Sequence, residues 1–269
     1  MPVYLVTGVG RGLGYALIQT LSKNPENTVI GIARNAAAVK TRIQSDGVNA
    51  LIFEADLTDQ ASLSRAAGNI ESALGGAGID VMINNAGYVS DTTALKSLAE
   101  FENDVQTAID DTQKSIGVNV FGTLRAITTF LPLIQRGELK KVIAISSGMG
   151  DIEFINETQL PIAAPYAVSK AALTTLMAKF AAAYVDQGIL FASICPGRVD
   201  TAEPGTSLSS DDITRLEKYG PKFESYSPGF KAMAPEEAAR SVMAAIERSS
   251  LAEGYSGSFL SHNGTKRWM

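Results

Sequence analysis

A short apolar run at residues 3–7 passes directly into the glycine-rich stretch Gly8-Val9-Gly10-Arg11-Gly12-Leu13-Gly14. Residues 15–22 then repeat their apolar side chains at helical spacing. An uninterrupted apolar run of this kind reads as a strand buried on both faces of a parallel sheet. Strand, glycine turn and helix, in that order, form the phosphate-binding unit of a dinucleotide fold. Glycine lets the backbone turn tightly and approach a pyrophosphate, whose charge then lies at the positive end of the helix. The competing reading is a tight turn whose glycines serve geometry alone. A P-loop does not fit, because no Gly-Lys-Ser/Thr closes the stretch.

The rest of the chain continues the alternation. Strands are expected at residues 28–33, 50–55, 79–83, 141–145, 189–194 and 256–261. Helices are expected at 39–44, 60–74, 113–134, 163–187 and 235–249, with a loop and an amphipathic helix over 91–112. Regular alternation predicts one α/β domain, residues 1–269: a single doubly wound parallel sheet, or Rossmann fold, with helices on both faces and right-handed crossovers. Two stretches stand outside the pattern. Residues 151–165 read as an irregular insertion. Residues 204–233 are rich in Gly, Pro and Ser, carry Tyr219, Phe223, Tyr226 and Phe230, and read as a substrate lid. Those aromatics either cover a large, flat substrate or pack against the sheet.

Composition removes several functions. A length of 269 residues with 45% hydrophobic content supplies a full core. The net charge of −5 argues against nucleic acid or an anionic membrane as the main partner. The single cysteine, Cys195, allows no internal disulfide, and no apolar leader opens the chain, so a cytoplasmic setting is expected. The longest apolar candidate for a membrane span, residues 163–185, is interrupted by Lys170 and Lys179. With His262 as the only histidine, neither a histidine metal cluster nor a Ser-His-Asp triad is expected.

The carboxyl ends of the strands carry the polar residues. The second strand ends in Arg34-Asn35, where a site for an unphosphorylated ribose would carry an acid. Arg34, with Arg11 from the glycine loop, suits a 2′-phosphate and so favours NADP(H) over NAD(H). Two solvated surface arginines are the alternative. The third strand ends in Asp56-Leu57, with Asp56 placed either to accept from an adenine amino group or to cap the next helix. The fourth ends in Asn84-Asn85-Ala86-Gly87, which offers donors, acceptors and close backbone approach to a crevice. Asn119 lies in an apolar helical stretch, so it is either locked to backbone or placed for function.

Tyr166-Ala167-Val168-Ser169-Lys170 opens a long helix, which puts Tyr166 and Lys170 on one face. A free phenol has a pKa near ~10. A cation at about 4 Å, with an effective dielectric near ~20, favours the phenolate by up to ~4 kcal/mol. Such a pair can transfer protons at working pH. Two residues on a solvated helix face are the alternative.

Thr7-Gly8-x-x-x-Gly12-x-Gly14, Asn84-Asn85-Ala86-Gly87, Asn119, Ser147, Tyr166-x-x-x-Lys170 and Pro196-Gly197 occur in the order found in the short-chain dehydrogenase/reductases, and the chain resembles that family over nearly its whole length. The subgroup it is most similar to contains the norsolorinic-acid-type ketoreductases and the sniffer-type carbonyl reductases. The resemblance implies NADPH-dependent reduction of a small-molecule ketone or aldehyde. It implies that Tyr166 is the proton donor, that Lys170 lowers its pKa and holds the nicotinamide ribose, and that Ser147 binds the substrate oxygen. It further implies that Asn119 holds a water linked to Lys170. The implied cofactor cradle comprises Thr7, Gly8, Gly10, Arg11, Gly12, Leu13 and Gly14 at the pyrophosphate, and Arg34, Asn35, Asp56, Leu57, Asn85, Ala86 and Gly87 on the adenosine side. Pro196, Gly197, Val199 and Thr201 complete it at the nicotinamide. The long interval between Ser147 and Tyr166 departs from the family pattern and leaves Ser146 open as the serine. A homodimer or homotetramer is open too. A non-redox acid/base enzyme and a dinucleotide-sensing protein remain as rivals; the full set Asn119, Ser147, Tyr166 and Lys170 argues against the sensor.

Overall fold

The computed structural model describes residues 1–200 and 209–269. In chain order its elements are β1 (Val3–Thr7), α1 (Gly12–Leu21), β2 (Thr28–Ala33), α2 (Ala36–Asp46), β3 (Leu51–Glu54), α3 (Gln60–Leu74) and β4 (Val81–Asn84). There follow α4 (Val105–Ile116), α5 (Thr123–Arg136), β5 (Lys141–Ile145), α6 (Ile152–Thr158), α7 (Ala164–Ala183) and β6 (Leu190–Cys195). Last come α8 (Ser210–Tyr226), α9 (Pro235–Arg248) and β7 (Phe259–Ser261). All strand pairs are parallel, in the order β3-β2-β1-β4-β5-β6-β7. The expected doubly wound Rossmann sheet is the fold observed.

The apolar runs bury both faces of the sheet. One face packs against α1, α2 and α9 through Leu17, Ile18, Val39, Val242 and Ile246. The other packs against α3, α5 and α7 through Leu63, Ile70, Phe130, Ile134, Leu173 and Met177. A third, smaller core gathers round Cys195 from Phe154, Leu160, Ile162, Tyr219, Tyr226 and Trp268.

The strand order reverses direction between β1 and β4. In an open parallel sheet, that is where a crevice opens at the carboxyl ends of the strands. Thr7 and Asn85 stitch its two sides together. Thr7 Oγ1 accepts from the Asn85 and Ala86 amides at 3.1 Å each, and Asn85 Nδ2 donates to the carbonyls of Thr7 at 3.0 Å and Gly8 at 3.2 Å. Gly8, with φ of 74°, takes a left-handed turn over Ala86.

Three expectations are corrected. Residues 151–165 are not irregular throughout, because they contain α6. Asp151 accepts from the Phe154 amide at 2.7 Å to start the helix, and Phe154 is buried. The long helix starts earlier than residue 113. Asp104 caps Val105 through Thr107, and the run continues through α4, a π-helical turn at Gly117–Gly122 and α5. Consequently the helical run that is long and apolar enough to cross a membrane, among the described residues, is Val105–Arg136 and not 163–185. In the structure 44% of its most apolar window is buried inside the fold, and α5 packs on the sheet. Of the lid stretch, residues 204–208 lie outside the described residues; 210–226 form α8, whose Tyr219 and Tyr226 are buried in the third core.

A β-carbon on Gly14 would lie 2.2 Å from the Gly8 carbonyl oxygen and 2.4 Å from Asn85 Nδ2. Gly14→Ala is therefore expected to cost about 1–3 kcal/mol of stability in urea unfolding. Stability equal to the parent would show that the loop can move aside.

Candidate active site

The site is built where the ends of β4, β5 and β6 meet α7. Ser146 and Ser147 follow β5, and their side chains diverge. The Ser146 hydroxyl is buried and donates to the Lys170 carbonyl at 3.3 Å, with Thr174 Oγ1 3.0 Å away. The Ser147 hydroxyl accepts from the Met149 amide at 3.2 Å and lies near enough to the Tyr166 phenol to lower its pKa. Of the two serines, Ser147 faces Tyr166.

Tyr166 and Lys170 stand one turn apart on α7, as their spacing requires. The Lys170 ammonium is 5.6 Å from the centre of the Tyr166 ring and donates to the Ile145 carbonyl at 2.7 Å. Burial pushes the Lys170 amine down to about 8. Tyr166 is half-buried, and burial pushes its phenol up to about 12. The Ser147 hydrogen bond lowers it, and the nearby Cys195 thiol raises it. The expectation that Lys170 draws the phenol towards neutrality is thus not met. Desolvation is the largest cause of the shift, and the ammonium is directed at the Ile145 carbonyl.

Asn119 sits in the π-helical turn and is fully buried. Its Oδ1 accepts from the Tyr88 amide at 2.6 Å, and its Nδ2 donates to the Tyr88 carbonyl at 3.0 Å and to Ser169 Oγ at 2.8 Å. Ser169 Oγ in turn donates to the Tyr166 carbonyl at 2.7 Å. Asn119 is thus locked to the Tyr88 backbone and at the same time tied to the Ser169 hydroxyl. Its amide ties the loop after β4 to α7. The same loop is fastened from below by Asp111 on α4, which accepts from the hydroxyls of Tyr88 and Ser90.

The cofactor cradle fits a dinucleotide. The first turn of α1 has no side-chain cap, so its backbone amides are presented to the crevice. A β-carbon on Gly10 would meet open space. Arg11 and Arg34 are on the rim. Arg34 adds its charge to the groups that lower the Asp56 carboxyl, chiefly the Thr58 amide and hydroxyl at 2.8 Å and 2.7 Å. Asp59, not Asp56, caps α3, while Asn35 caps α2 by accepting from the Ala38 amide at 3.0 Å. Leu13 and Leu57 are buried behind the crevice, and Gly87 lies before Lys170, with room for a β-carbon 3.7 Å from Nζ. At the end of β6, Pro196 is buried and Gly197 takes φ of 79°, with its open side against Met233 and His262. Val199 pairs with Met233. Thr201 lies outside the described residues.

Sequence reasoning missed Tyr88, Asp111, Ser169, Cys195 and Trp268. Cys195 Sγ accepts from the Gly148 amide at 3.3 Å and from the Gly197 amide, joining the two loops at the ends of β5 and β6. Only the position of Ser169 inside the Tyr166-x-x-x-Lys170 turn could have signalled a role.

A doubly wound sheet with a glycine crevice at its switch point, and a tyrosine, lysine and serine beside it, defines a dinucleotide-dependent oxidoreductase type of domain. The sequence pattern described as short chain dehydrogenase matches residues 2–210, and the chain belongs to that family. It is 39% identical over the full length of both chains to the short-chain dehydrogenase/reductase AacuF of Aspergillus aculeatus. It is 36% identical, again over both full lengths, to the short chain dehydrogenase virK of Hypocrea virens. In fold it is similar to the NADPH-bound carbonyl reductase from chicken fatty liver, with a TM-score of 0.76 at 24% identity over 98% of each chain. The family binds nicotinamide dinucleotides and acts on small molecules.

Asn119→Ala would leave the Tyr88 amide and the Ser169 hydroxyl without their buried partner. A loss of about 1–3 kcal/mol is expected in urea unfolding, with faster hydrogen exchange at the Tyr88 amide. Unchanged exchange there would mean that the loop after β4 is held by other contacts.

Proposed function

We propose that the protein reduces a ketone or aldehyde to the alcohol with NADPH. The observation that carries this reading is the meeting of the Tyr166 phenol and the Ser147 hydroxyl beside the buried Lys170, at the crevice of the sheet. A bound nicotinamide supplies the hydride to the carbonyl carbon. Tyr166 gives its proton to the carbonyl oxygen. Ser147 donates a hydrogen bond to the same oxygen and stabilises the charge that develops on it. A phenol held well above neutrality remains protonated, which suits the direction of reduction. Lys170, held by the Ile145 carbonyl, would hold the nicotinamide ribose. Asn119 acts as a positioning residue, through Ser169 and Tyr88.

The cofactor choice rests on charge. No acid follows β2, Arg34 stands in the turn after it, and Arg11, in the glycine turn, is likewise exposed. In this reading both guanidiniums meet the 2′-phosphate of NADPH. Gly8, Gly10, Gly12 and Gly14 would admit the pyrophosphate, Asp56 would meet the adenine, and Pro196, Gly197 and Val199 would border the nicotinamide. In this reading the substrate would lie beside Ser147 and Tyr166, next to the loop after β4.

Tyr166→Phe keeps the ring and removes the proton. A loss of roughly 100-fold or more in NADPH oxidation is expected with any carbonyl compound the parent turns over; near-normal turnover would contradict the mechanism. Arg34→Ala is expected to weaken NADPH binding by about tenfold while leaving NADH binding unchanged, as titration of each dinucleotide would read. An unchanged preference would remove Arg34 from the cofactor argument.

A further inference from the structure

We propose that Trp268 is a positioning residue for this reaction: its indole braces the turn at Gly148 and so fixes the Ser147 hydroxyl at the phenol of Tyr166. The inference rests on the reductase reading above. Ser147 begins a tight turn, Gly148–Gly150, that is gripped from three directions. From behind, the Gly148 amide donates to Cys195 Sγ. From α7, the backbone presses on Gly150 so closely that a β-carbon there would lie 2.6 Å from the Ala171 nitrogen. From the third side comes Trp268. A β-carbon on Gly148 would lie 2.4 Å from indole Cγ and 2.5 Å from Trp268 Cβ, so the aromatic ring is seated directly on the turn's backbone.

The indole is itself anchored. It is 3% exposed and stacks on Phe259 of β7 with ring centres 4.3 Å apart and planes within 19°. Its amide donates to Tyr226 Oη at 3.4 Å, and its carbonyl accepts from the Cys195 thiol at 3.8 Å. Tyr226 ends α8, and its ring lies 4.1 Å from the Arg267 guanidinium. Trp268 therefore joins three fixed elements, β6, β7 and α8, to the one turn that presents Ser147. A tryptophan that merely filled the core would need no glycine opposite it. Here the ring occupies the space a side chain at residue 148 would take, so ring and turn are fitted to each other. Removing the ring opens room into which the turn can relax, away from Tyr166. Displacement of a reacting group by about 1 Å can cost about 100-fold in rate.

The test uses Trp268→Ala, Trp268→Phe, Gly148→Ala and the Gly148→Ala/Trp268→Gly double variant, with Ser147→Ala and Tyr166→Phe as references. Each is checked for its melting transition and NADPH binding. Turnover is then measured against pH in both directions on a carbonyl/alcohol pair that the parent accepts. Trp268→Ala is expected to lose roughly 100-fold in kcat with little change in the KM for NADPH. In alcohol oxidation the phenolate is the base, and Ser147 lowers the phenol's pKa. The acid limb should therefore move to higher pH in Trp268→Ala, as in Ser147→Ala, while Trp268→Phe restores most of the activity. Gly148→Ala should be impaired, and the double variant more active than Gly148→Ala alone, because Cβ, Cγ and Cδ1 of Trp268, the atoms nearest the new β-carbon, are then all absent. A folded Trp268→Ala with parental kcat, or with a change confined to substrate KM and an unmoved acid limb, would overturn the proposal. Should Trp268→Ala not fold, Gly148→Ala decides: a folded variant with lowered kcat and the acid limb moved to higher pH supports the brace, and one with parental kcat and an unmoved limb rejects it. An active Tyr166→Phe would bring down the reductase reading itself. An inactive Tyr166→Phe beside a parental Trp268→Ala would bring down this inference alone.

Discussion

A lysine ammonium buried among sheet and helix needs a partner, and Lys170 finds it in the last carbonyl of β5. Burial costs desolvation, visible in an amine held down at about 8, and the Ile145 carbonyl offsets part of that cost by accepting one of its three N–H groups. It also fixes geometry. Ile145 precedes Ser146 and Ser147, and Lys170 follows Tyr166 by one turn. A single hydrogen bond thus sets how far the serine-bearing strand end stands from the tyrosine-bearing helix. The Ser146 hydroxyl adds a second tie between the same two elements, to the carbonyl of Lys170.

The remaining walls are held to this pair. Asn119 fastens the loop after β4 through Tyr88, and reaches the Tyr166 carbonyl through Ser169. At the mouth, Arg215 of α8 directs Nε and Nη2 at one oxygen of Glu100, at 3.0 Å and 2.7 Å. That ion pair is partly exposed and of small energetic worth, but it marks where the α8 wall meets the loop wall. Between these walls, the phenol is kept protonated by burial and steadied by Ser147. The electrostatic balance at Tyr166 is set by desolvation more than by the neighbouring cation.

Much of the fold was legible because buried parallel strands leave a plain mark. Lys141–Ile145 and Gln60–Leu74 are bounded in the sequence as they are in the structure, the first by apolar content and the second by Asp59 at its start. The site was legible where one chemical type at one spacing is required, as for Tyr166 and Lys170. It failed where tertiary contact decides. The helix α6 was hidden because a seven-residue helix has too few turns to show a period, although Asp151 gave its start. α8 was obscured by Gly220 and Pro221 in its middle. Nothing local tells that Asn119 will spend its amide on Tyr88, or that Trp268 will seat on Gly148, since those partners are brought together only by the sheet. The pKa of Tyr166 was misjudged for the same reason: spacing gives the cation, and only the packed structure gives the burial.

The central claim is that Tyr166 supplies a proton while a bound dinucleotide supplies hydride to one carbonyl group. Turnover with NADPH carrying tritium at the transferable C4 position tests it most directly. The account expects the label on the carbinol carbon of the product, at one tritium per alcohol formed. Product formed with the label still in the dinucleotide would contradict it, and would leave Tyr166 as an acid/base group in a reaction that is not a reduction.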